Sequence, residues 1–523
     1  MLIQDLSAKT IRLSRQAVVR KEHFGGLIFN RDTGDIFEVD REAYTLFSII
    51  AAVSVVNVNA LLETEILYQG MRLGQKGIVR ILTRFIVAGI LEILPRGVLS
   101  EASQQRLQEQ CRIKVKWPDW PQISAPETVH WAVTHQCGAS CPDCYMERHK
   151  GLFQSELNTR EALAIIDKIA AAGVFQLAIG GGEPLLRSDL GLIAAYAAEK
   201  GLIVHITTGC YEIDAQQLDE LGYSIKSLQI GIKTDTCSFG NTAVEQLKTL
   251  VMQLGRLGVV CGANLVMSRS GIRKLDQSIR ILTEVGFRRF TLLRYKPPVQ
   301  VARWLEEKPD QHDLSRLEYD LADVMRKNSG LHIRIDCALA FLERRLNPQL
   351  AHESGIKGCT AADRILSVAP DGSVFPCSQL TGPDLKVGNL LQDDFTVIWN
   401  SQLMKRYRDF REDKGFRRGP CGKCKAKRFC GGCRVFAPDA YGSDPGCPTP
   451  QYRKGAVPVN DDYDIIDEIK EMIGFTSGGY PYASREQIEE WLEEAHDRAY
   501  PDWIRFGTNP LCWKGENDAD FEL

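Results

Sequence analysis

The chain has 523 residues and a formal charge of −3, from 64 Lys and Arg against 67 Asp and Glu. That length is enough for three or four domains, and the near-neutral balance gives no bulk electrostatic reason to expect nucleic acid. The apolar stretch at 43–56 is too short to span a bilayer and the start lacks a signal-peptide pattern, so a cytoplasmic protein with no membrane partner is expected. The 16 cysteines cluster like metal ligands rather than spreading like a disulfide framework.

Residues 1–100 read as a small α+β domain. Strands at 18–19, 26–30 and 36–39, with a turn at Arg31-Asp32-Thr33-Gly34, precede helices near 41–52, 59–67 and 78–88 and a strand at 90–94. A small sheet with three helices is a winged-helix outline. Many such domains bind DNA, but this one lacks the dense basic stripe that DNA recognition needs. Over 25–50 the sequence resembles the peptide-recognition element (RRE) of ribosomal-peptide maturation, which is similar to the small chaperone subunit of pyrroloquinoline quinone biosynthesis. That resemblance implies that the leader of a precursor peptide adds as a strand to an exposed sheet edge, here between 36–39 and the helix at 78–88. Residues 101–125, ending in Trp117-Pro118-Asp119-Trp120-Pro121, read as a linker.

A strand at 131–134 then runs into Cys137, Cys141 and Cys144, three thiolates at x3 and x2 spacing with no fourth. A complete protein site for a [4Fe–4S] cluster uses four cysteines, so three leave one iron free for a small ligand. A zinc site is the alternative use of such a triad. The motif resembles the signature of the radical SAM superfamily. The resemblance implies that the open iron chelates the amino and carboxylate groups of S-adenosylmethionine. Reductive cleavage of the sulfonium then yields a 5′-deoxyadenosyl radical.

Strands at 176–180, 203–207, 227–232, 259–266 and 290–294 alternate with helices at 158–172, 190–200, 214–221, 241–257 and 275–284. Asn158 and Glu161 are spaced as a capping box at the first helix. This alternation predicts an α/β fold with right-handed parallel βαβ units. Residues 126–335 are thus expected to form the partial (β/α)6 barrel of radical SAM enzymes, with the site at the carboxyl ends of the strands. After the second strand, Gly180-Gly181-Gly182-Glu183-Pro184 resembles the family's Gly-Gly-Glu-Pro element, which implies that Gly181, Gly182 and Glu183 hold the methionine amino group. Thr208, Gln229, Gly231, Asn264 and Arg269 stand at positions resembling other contacts to this cofactor. Lys233 and Asp143 depart from the family pattern.

Residues 336–455 carry the second cysteine field. Cys359-x12-Gly372-x4-Cys377 is followed by Cys421-x2-Cys424-x5-Cys430-x2-Cys433 and by Cys447. A zinc ribbon at 421–433 is the alternative metal reading. The spacing resembles a SPASM domain, which implies two auxiliary [4Fe–4S] clusters and three in all. By that resemblance Cys421, Cys424, Cys430 and Cys447 ligate the distal cluster, and Cys359, Cys377 and Cys433 the nearer one. Its fourth ligand is either Cys337 or an open position available to substrate. Asp371-Gly372 reads as a hairpin turn that brings Cys377 to the barrel mouth. His135, Tyr145, His149 and Ser378 flank the clusters and read as structural. Residues 456–523 form an acidic tail with a helix near 484–500.

Together these readings predict an enzyme that modifies a ribosomally made precursor peptide by radical hydrogen abstraction, leaving a covalent cross-link or a backbone rearrangement. Its reductant would be a flavodoxin or ferredoxin. A SPASM enzyme maturing a protein, and a non-catalytic Fe–S winged-helix regulator, are the competing classes.

Overall fold

Buried positions alternate or run continuously along short strands, and the chain resolves them into two compact units, Met1–Pro121 with Pro450–Gly507 and Gln122–Thr449 with Thr508–Leu523. The computed structural model describes residues 6–447 apart from 7, 69–70, 95–100, 113, 120, 140, 142–143, 145–154, 233–240, 298–300, 329, 343–357, 425–426, 428–429 and 445–446, and also Arg505–Phe506. Asp143, Tyr145, His149, Lys233 and the expected helix near 484–500 lie outside the described residues.

In the first unit β1 (Thr10–Leu13) is followed by the antiparallel meander β2 (Ala17–Glu22), β3 (Gly25–Asn30) and β4 (Ile36–Asp40). Gly25 starts β3 because a Cβ there would lie 2.2 Å from the Val39 carbonyl oxygen. Asp40 caps helix α1 (Arg41–Val53) by accepting from the Ala43 amide at 2.8 Å. Next come β5 (Val56–Asn57), α2 (Val58–Glu63), the β6 (Leu67–Tyr68) and β7 (Met71–Arg72) pair, α3 (Gln75–Val87) and β8 (Leu91–Leu94). Phe85 of α3 meets Phe37 and Phe47 edge-on at 5.5 and 4.6 Å, which fixes the helix against β4 and α1. β1 pairs with both β5 and β8, a sheet the sequence reading missed. Residues 101–111, read as linker, instead form helix α4 (Glu101–Cys111), and Leu107 and Cys111 bury in this unit's core. Two buried side chains on an otherwise polar helix gave too weak a periodic signal. Trp117 also packs here, edge-on to Tyr44.

The outer edge of β4 carries one more strand. Arg505–Phe506 (β19) pairs with it antiparallel, Arg505 opposite Glu38 and Phe506 opposite Phe37.

The second unit contains β9 (Thr128–Thr134), β10 (Gln176–Gly181), β11 (Ile203–Thr208), β12 (Ile225–Ile232), β13 (Val260–Met267), β14 (Arg289–Arg294) and β15 (His332–Ile335), each parallel to the next. Helices α5 (Thr159–Ala171), α6 (Leu190–Glu199), α7 (Ala215–Gly222), α8 (Asn241–Arg256), α9 (Leu275–Val285) and α10 (Gln311–Lys327) connect them. The Asn158–Glu161 capping box is formed at α5. This is a partial parallel β/α barrel, as expected, with β15 as a seventh strand beyond the six expected. Its four residues alternate His and Arg with Ile, too short and polar a run to stand out.

Past the barrel, β16 (Ile365–Val368) adds parallel to β9, and β17 (Ser373–Phe375) and β18 (Gly388–Asn389) continue antiparallel. The Asp371-Gly372 turn thus joins β16 to β17 as expected. Arg364, 1 % exposed, bonds Glu127 at 2.6 Å and ties this extension to the base of β9. Among the described residues no helix is long and apolar enough to cross a membrane.

Candidate functional site

The site begins where β9 ends. The Thr134 hydroxyl donates to Glu156 at 2.7 Å and accepts from the Gln136 amide at 3.0 Å, so the chain turns sharply toward Cys137. Beside it, the tip of β10 continues the ladder past a bulge. The Gly182 amide donates to the Thr134 carbonyl and the Glu183 amide to the Gln136 carbonyl, both at 2.8 Å. Only glycine permits this approach. A Cβ on Gly181 would lie 2.4 Å from the Thr134 oxygen, on a backbone at φ 132°, and one on Gly182 would lie 2.2 Å from the Gln136 oxygen. The Gly-Gly-Glu element therefore holds the start of the cysteine loop in place. Arg187, unremarked in the sequence, reinforces it: the buried guanidinium pairs with Asp189 and donates to the carbonyls of Val133 and Leu157 on either side of the loop.

Glu183 is 6 % exposed. Its carboxylate accepts from the Thr208 hydroxyl at 2.8 Å, the Gly209 amide at 2.9 Å and the Leu185 amide at 3.2 Å. A carboxylate has about four acceptor sites, so capacity for one further donor such as an ammonium remains. The Thr208 hydroxyl is committed to this carboxylate and acts through it.

Beyond this corner a cavity of about 700 Å³ opens among the strand ends. Gly181, Gly182, Thr208, Gln229, Gly231 and Asn264 line it, as do Cys141 and Cys144. Gln229 lies flat against Gly262, where a Cβ would sit 2.3 Å from its Oε1. Among the described residues, that oxygen and the Trp131 indole nitrogen are buried without a hydrogen-bond partner, on side chains that line the cavity. Leaving such groups unsatisfied costs on the order of 1–3 kcal/mol each, so both fit a polar ligand bound here. Arg269 departs from its expected position. It does not line the cavity, and its guanidinium is engaged by Asp313 at 3.1 Å and the Glu306 carbonyl at 3.2 Å.

The opposite wall of the cavity is cysteine-rich: Cys337, Cys359, Cys377 and Cys433 all line it. The Cys337 thiol has Cys433, Cys359 and Cys377 as charge neighbours, and burial pushes it well above its ordinary value. Burial likewise takes the Cys377 thiol up to about 11. A second group forms around Cys430, whose neighbours are Cys447, Cys424 and Cys421 and whose thiol burial raises to about 12. The chain passes between the two groups through Gly431 and Gly432, both left-handed at φ 69° and 75°, so Cys430 and Cys433 can serve different groups. A Cβ on Gly432 would lie 3.2 Å from the Cys421 sulfur. Two sets of four thiols, partly cradled by glycine backbone, are the donor chemistry that iron–sulfur clusters take as thiolates, with proton release on assembly.

Sequence reasoning missed the charged pair that ends two neighbouring strands. Lys296 bonds Asp336 in the cavity wall, and the Asp336 carboxylate also accepts from the Ala338 amide at 3.0 Å. Burial would lower the Lys296 ammonium, but the Asp336 charge outweighs it and holds it above the usual lysine range.

Residues 131–258 match the radical SAM superfamily, and residues 359–425 match SPASM, an iron–sulfur cluster-binding domain. Over 340 residues the chain is 26% identical to an AdoMet-dependent heme synthase of Methanosarcina barkeri, covering 61% of this chain and 94% of that protein. It is 24% identical to a PqqA peptide cyclase of Bradyrhizobium diazoefficiens over 62% of this chain and 86% of the relative. The fold is similar to Streptococcus suis SuiB bound to its precursor peptide SuiA, at 17% identity and a TM-score of 0.58, over 84% of this chain and 100% of that one. The chain thus carries a radical SAM domain over residues 131–258 and a SPASM iron–sulfur domain over residues 359–425, and it is an enzyme of S-adenosylmethionine and [4Fe–4S] clusters.

Proposed function

We propose that the chain matures a ribosomally made precursor peptide by abstracting a hydrogen from its core and forming a covalent cross-link. The observation that carries this reading is the β4 edge: it pairs antiparallel with an extended segment, Arg505–Phe506, whose place a leader strand would take. Such an edge offers backbone hydrogen bonds to any extended segment and takes specificity from side-chain pockets. The similarity in fold to SuiB, solved with a precursor peptide, and in sequence to a PqqA peptide cyclase supports the same substrate class. In this reading residues 1–100 bind the leader, and the barrel with residues 336–455 acts on the core.

Cys137, Cys141 and Cys144 would hold the cluster that binds S-adenosylmethionine, which when bound supplies the 5′-deoxyadenosyl radical. Gly181, Gly182 and Glu183 would seat its amino group, while Gln229, Gly231 and Asn264 would line the rest of it. Glu183 orients its donor because Thr208 and Gly209 fix both carboxylate oxygens. Trp131 and the strand-end residues would keep water from the reacting carbon, which protects a reactive intermediate. Cys337, Cys359, Cys377 and Cys433 would hold the nearer auxiliary cluster, whose chemistry when bound would be electron acceptance. Cys421, Cys424, Cys430 and Cys447 would hold the distal one. A flavodoxin or ferredoxin would supply electrons.

The similarity to a heme synthase makes a tetrapyrrole the competing substrate. The test is anaerobic incubation with short peptides encoded beside the gene, read by mass spectrometry and by binding of their leaders to the whole enzyme. Leader binding at micromolar or tighter affinity with loss of two hydrogens supports a peptide. Conversion of a tetrapyrrole or a folded protein, with every such peptide unbound, refutes it.

A further inference from the structure

Arg294 is the last residue of β14, 6 % exposed, and its guanidinium grips Asp444 through two bonds of 2.5 and 3.0 Å. It also donates to the Ala338 carbonyl at 3.2 Å and lies 3.7 Å from the centre of the Phe436 ring. Asp444, equally buried, does more than balance this charge. Its Oδ2 accepts the Cys433 amide at 3.0 Å, while its own backbone amide donates to the Cys421 thiol. Next to it the Cys421 amide donates to the Ser443 hydroxyl at 3.1 Å. Gly432 leaves the needed room, since a Cβ there would lie 2.7 Å from the Asp444 Cβ. One residue therefore touches a cysteine of each thiol group, and a barrel strand holds that residue.

A buried ion pair rarely adds net stability over apolar packing of equal volume, so stability alone is a poor reason for one at this junction. Fixed charges and hydrogen bonds near the sulfurs are what set the potentials of iron–sulfur clusters. A nearby cation favours the more negative, reduced state, and a carboxylate opposes it.

We propose that Arg294 and Asp444 are positioning residues that clamp the Cys433 and Cys421 loops together and set the reduction potentials of the two auxiliary clusters. The inference rests on the proposed assignment of Cys433 and Cys421 to different clusters. It adds a device that the peptide-maturation reading does not require, because it holds for any substrate.

The test is an EPR-monitored redox titration of the anaerobically reconstituted full-length enzyme, with iron counted per chain. R294M removes the cation and should lower the reduction equilibrium constant of at least one auxiliary cluster tenfold or more, which for one electron is about 59 mV to the negative side. D444N removes the anion and should move the potential the other way. R294K keeps the charge but not the two-bond grip, so it should recover only part of the R294M shift, with iron content unchanged in all three. Unmoved potentials, shifts of the same sign in R294M and D444N, or iron loss in place of a shift would overturn the proposal. Zinc in the wild-type thiol groups would instead overturn the cluster assignment beneath it, and the proposal with it.

Discussion

Thr208 donates its hydroxyl proton to Glu183 across 2.8 Å, and through that bond the tips of β10 and β11 share one buried carboxylate. Thr208→Val keeps the shape but removes the donor, leaving the carboxylate freer to rotate. The expected result is a rise of roughly tenfold in the KM for S-adenosylmethionine, the cost of about one hydrogen bond to a charged group. Release of 5′-deoxyadenosine against cofactor concentration measures it. The auxiliary cluster signals should stay unchanged.

Gly182→Ala would drive a methyl group to 2.2 Å from the Gln136 carbonyl oxygen. Because both partners there are backbone, the cysteine loop must shift. The variant is expected to fold and to keep iron in the SPASM domain while losing about one cluster's worth of iron, seen by iron analysis and by the loss of cofactor cleavage.

Arg187 pairs with Asp189 and spans the carbonyls of Val133 and Leu157. Arg187→Leu removes the guanidinium from a half-buried carboxylate and from two backbone carbonyls, and losing those bonds is expected to cost on the order of 1–3 kcal/mol. Chemical denaturation of the apoprotein should show that loss. The double variant with Asp189→Leu should recover part of it.

Cys337→Ala should remove the fourth thiol from the nearer group. The expected outcome is an altered or lost EPR signal from that cluster, with S-adenosylmethionine still cleaved at the barrel. An unchanged signal would return the fourth position of that cluster to substrate.

Inside the barrel, burial lowers the His130 and His205 imidazoles from 6.5 to about 4. His205 is held neutral between Ser227 at 2.8 Å and Gln176 at 2.9 Å. The unfolded chain therefore binds more protons between pH 6.5 and 4, so stability falls as pH drops through that window. At pH 5 the penalty is ~2 kcal/mol for each histidine. Thermal melting of the apoprotein from pH 7 to 4.5 should show it, and His205→Gln should flatten the slope.

Legibility in the sequence followed sequence distance. The Asn158–Glu161 cap and the Asp371-Gly372 turn each lie within a few residues, and each forms where it was expected. The cap is closed by a 3.1 Å bond that needs no tertiary partner. By contrast, β1 gains its meaning from β5 and from β8, the latter about 80 residues away, and Arg294 meets Asp444 at a separation of 150. Arg269 shows the converse failure. It sits one residue past the capping Ser268 at the end of β13, as the pattern asks, yet the acidic side chain of Asp313 on α10 draws it outward. Helix α4 was hidden because only Leu107 and Cys111 mark its buried face.

The most direct test supplies the anaerobically reconstituted chain with dithionite, S-adenosylmethionine and a precursor peptide encoded beside its gene. The account predicts that the peptide loses two hydrogens, with about one 5′-deoxyadenosine released per modified peptide. Cofactor cleavage that leaves every such peptide unchanged in mass, while a tetrapyrrole or a folded protein is converted, would contradict it.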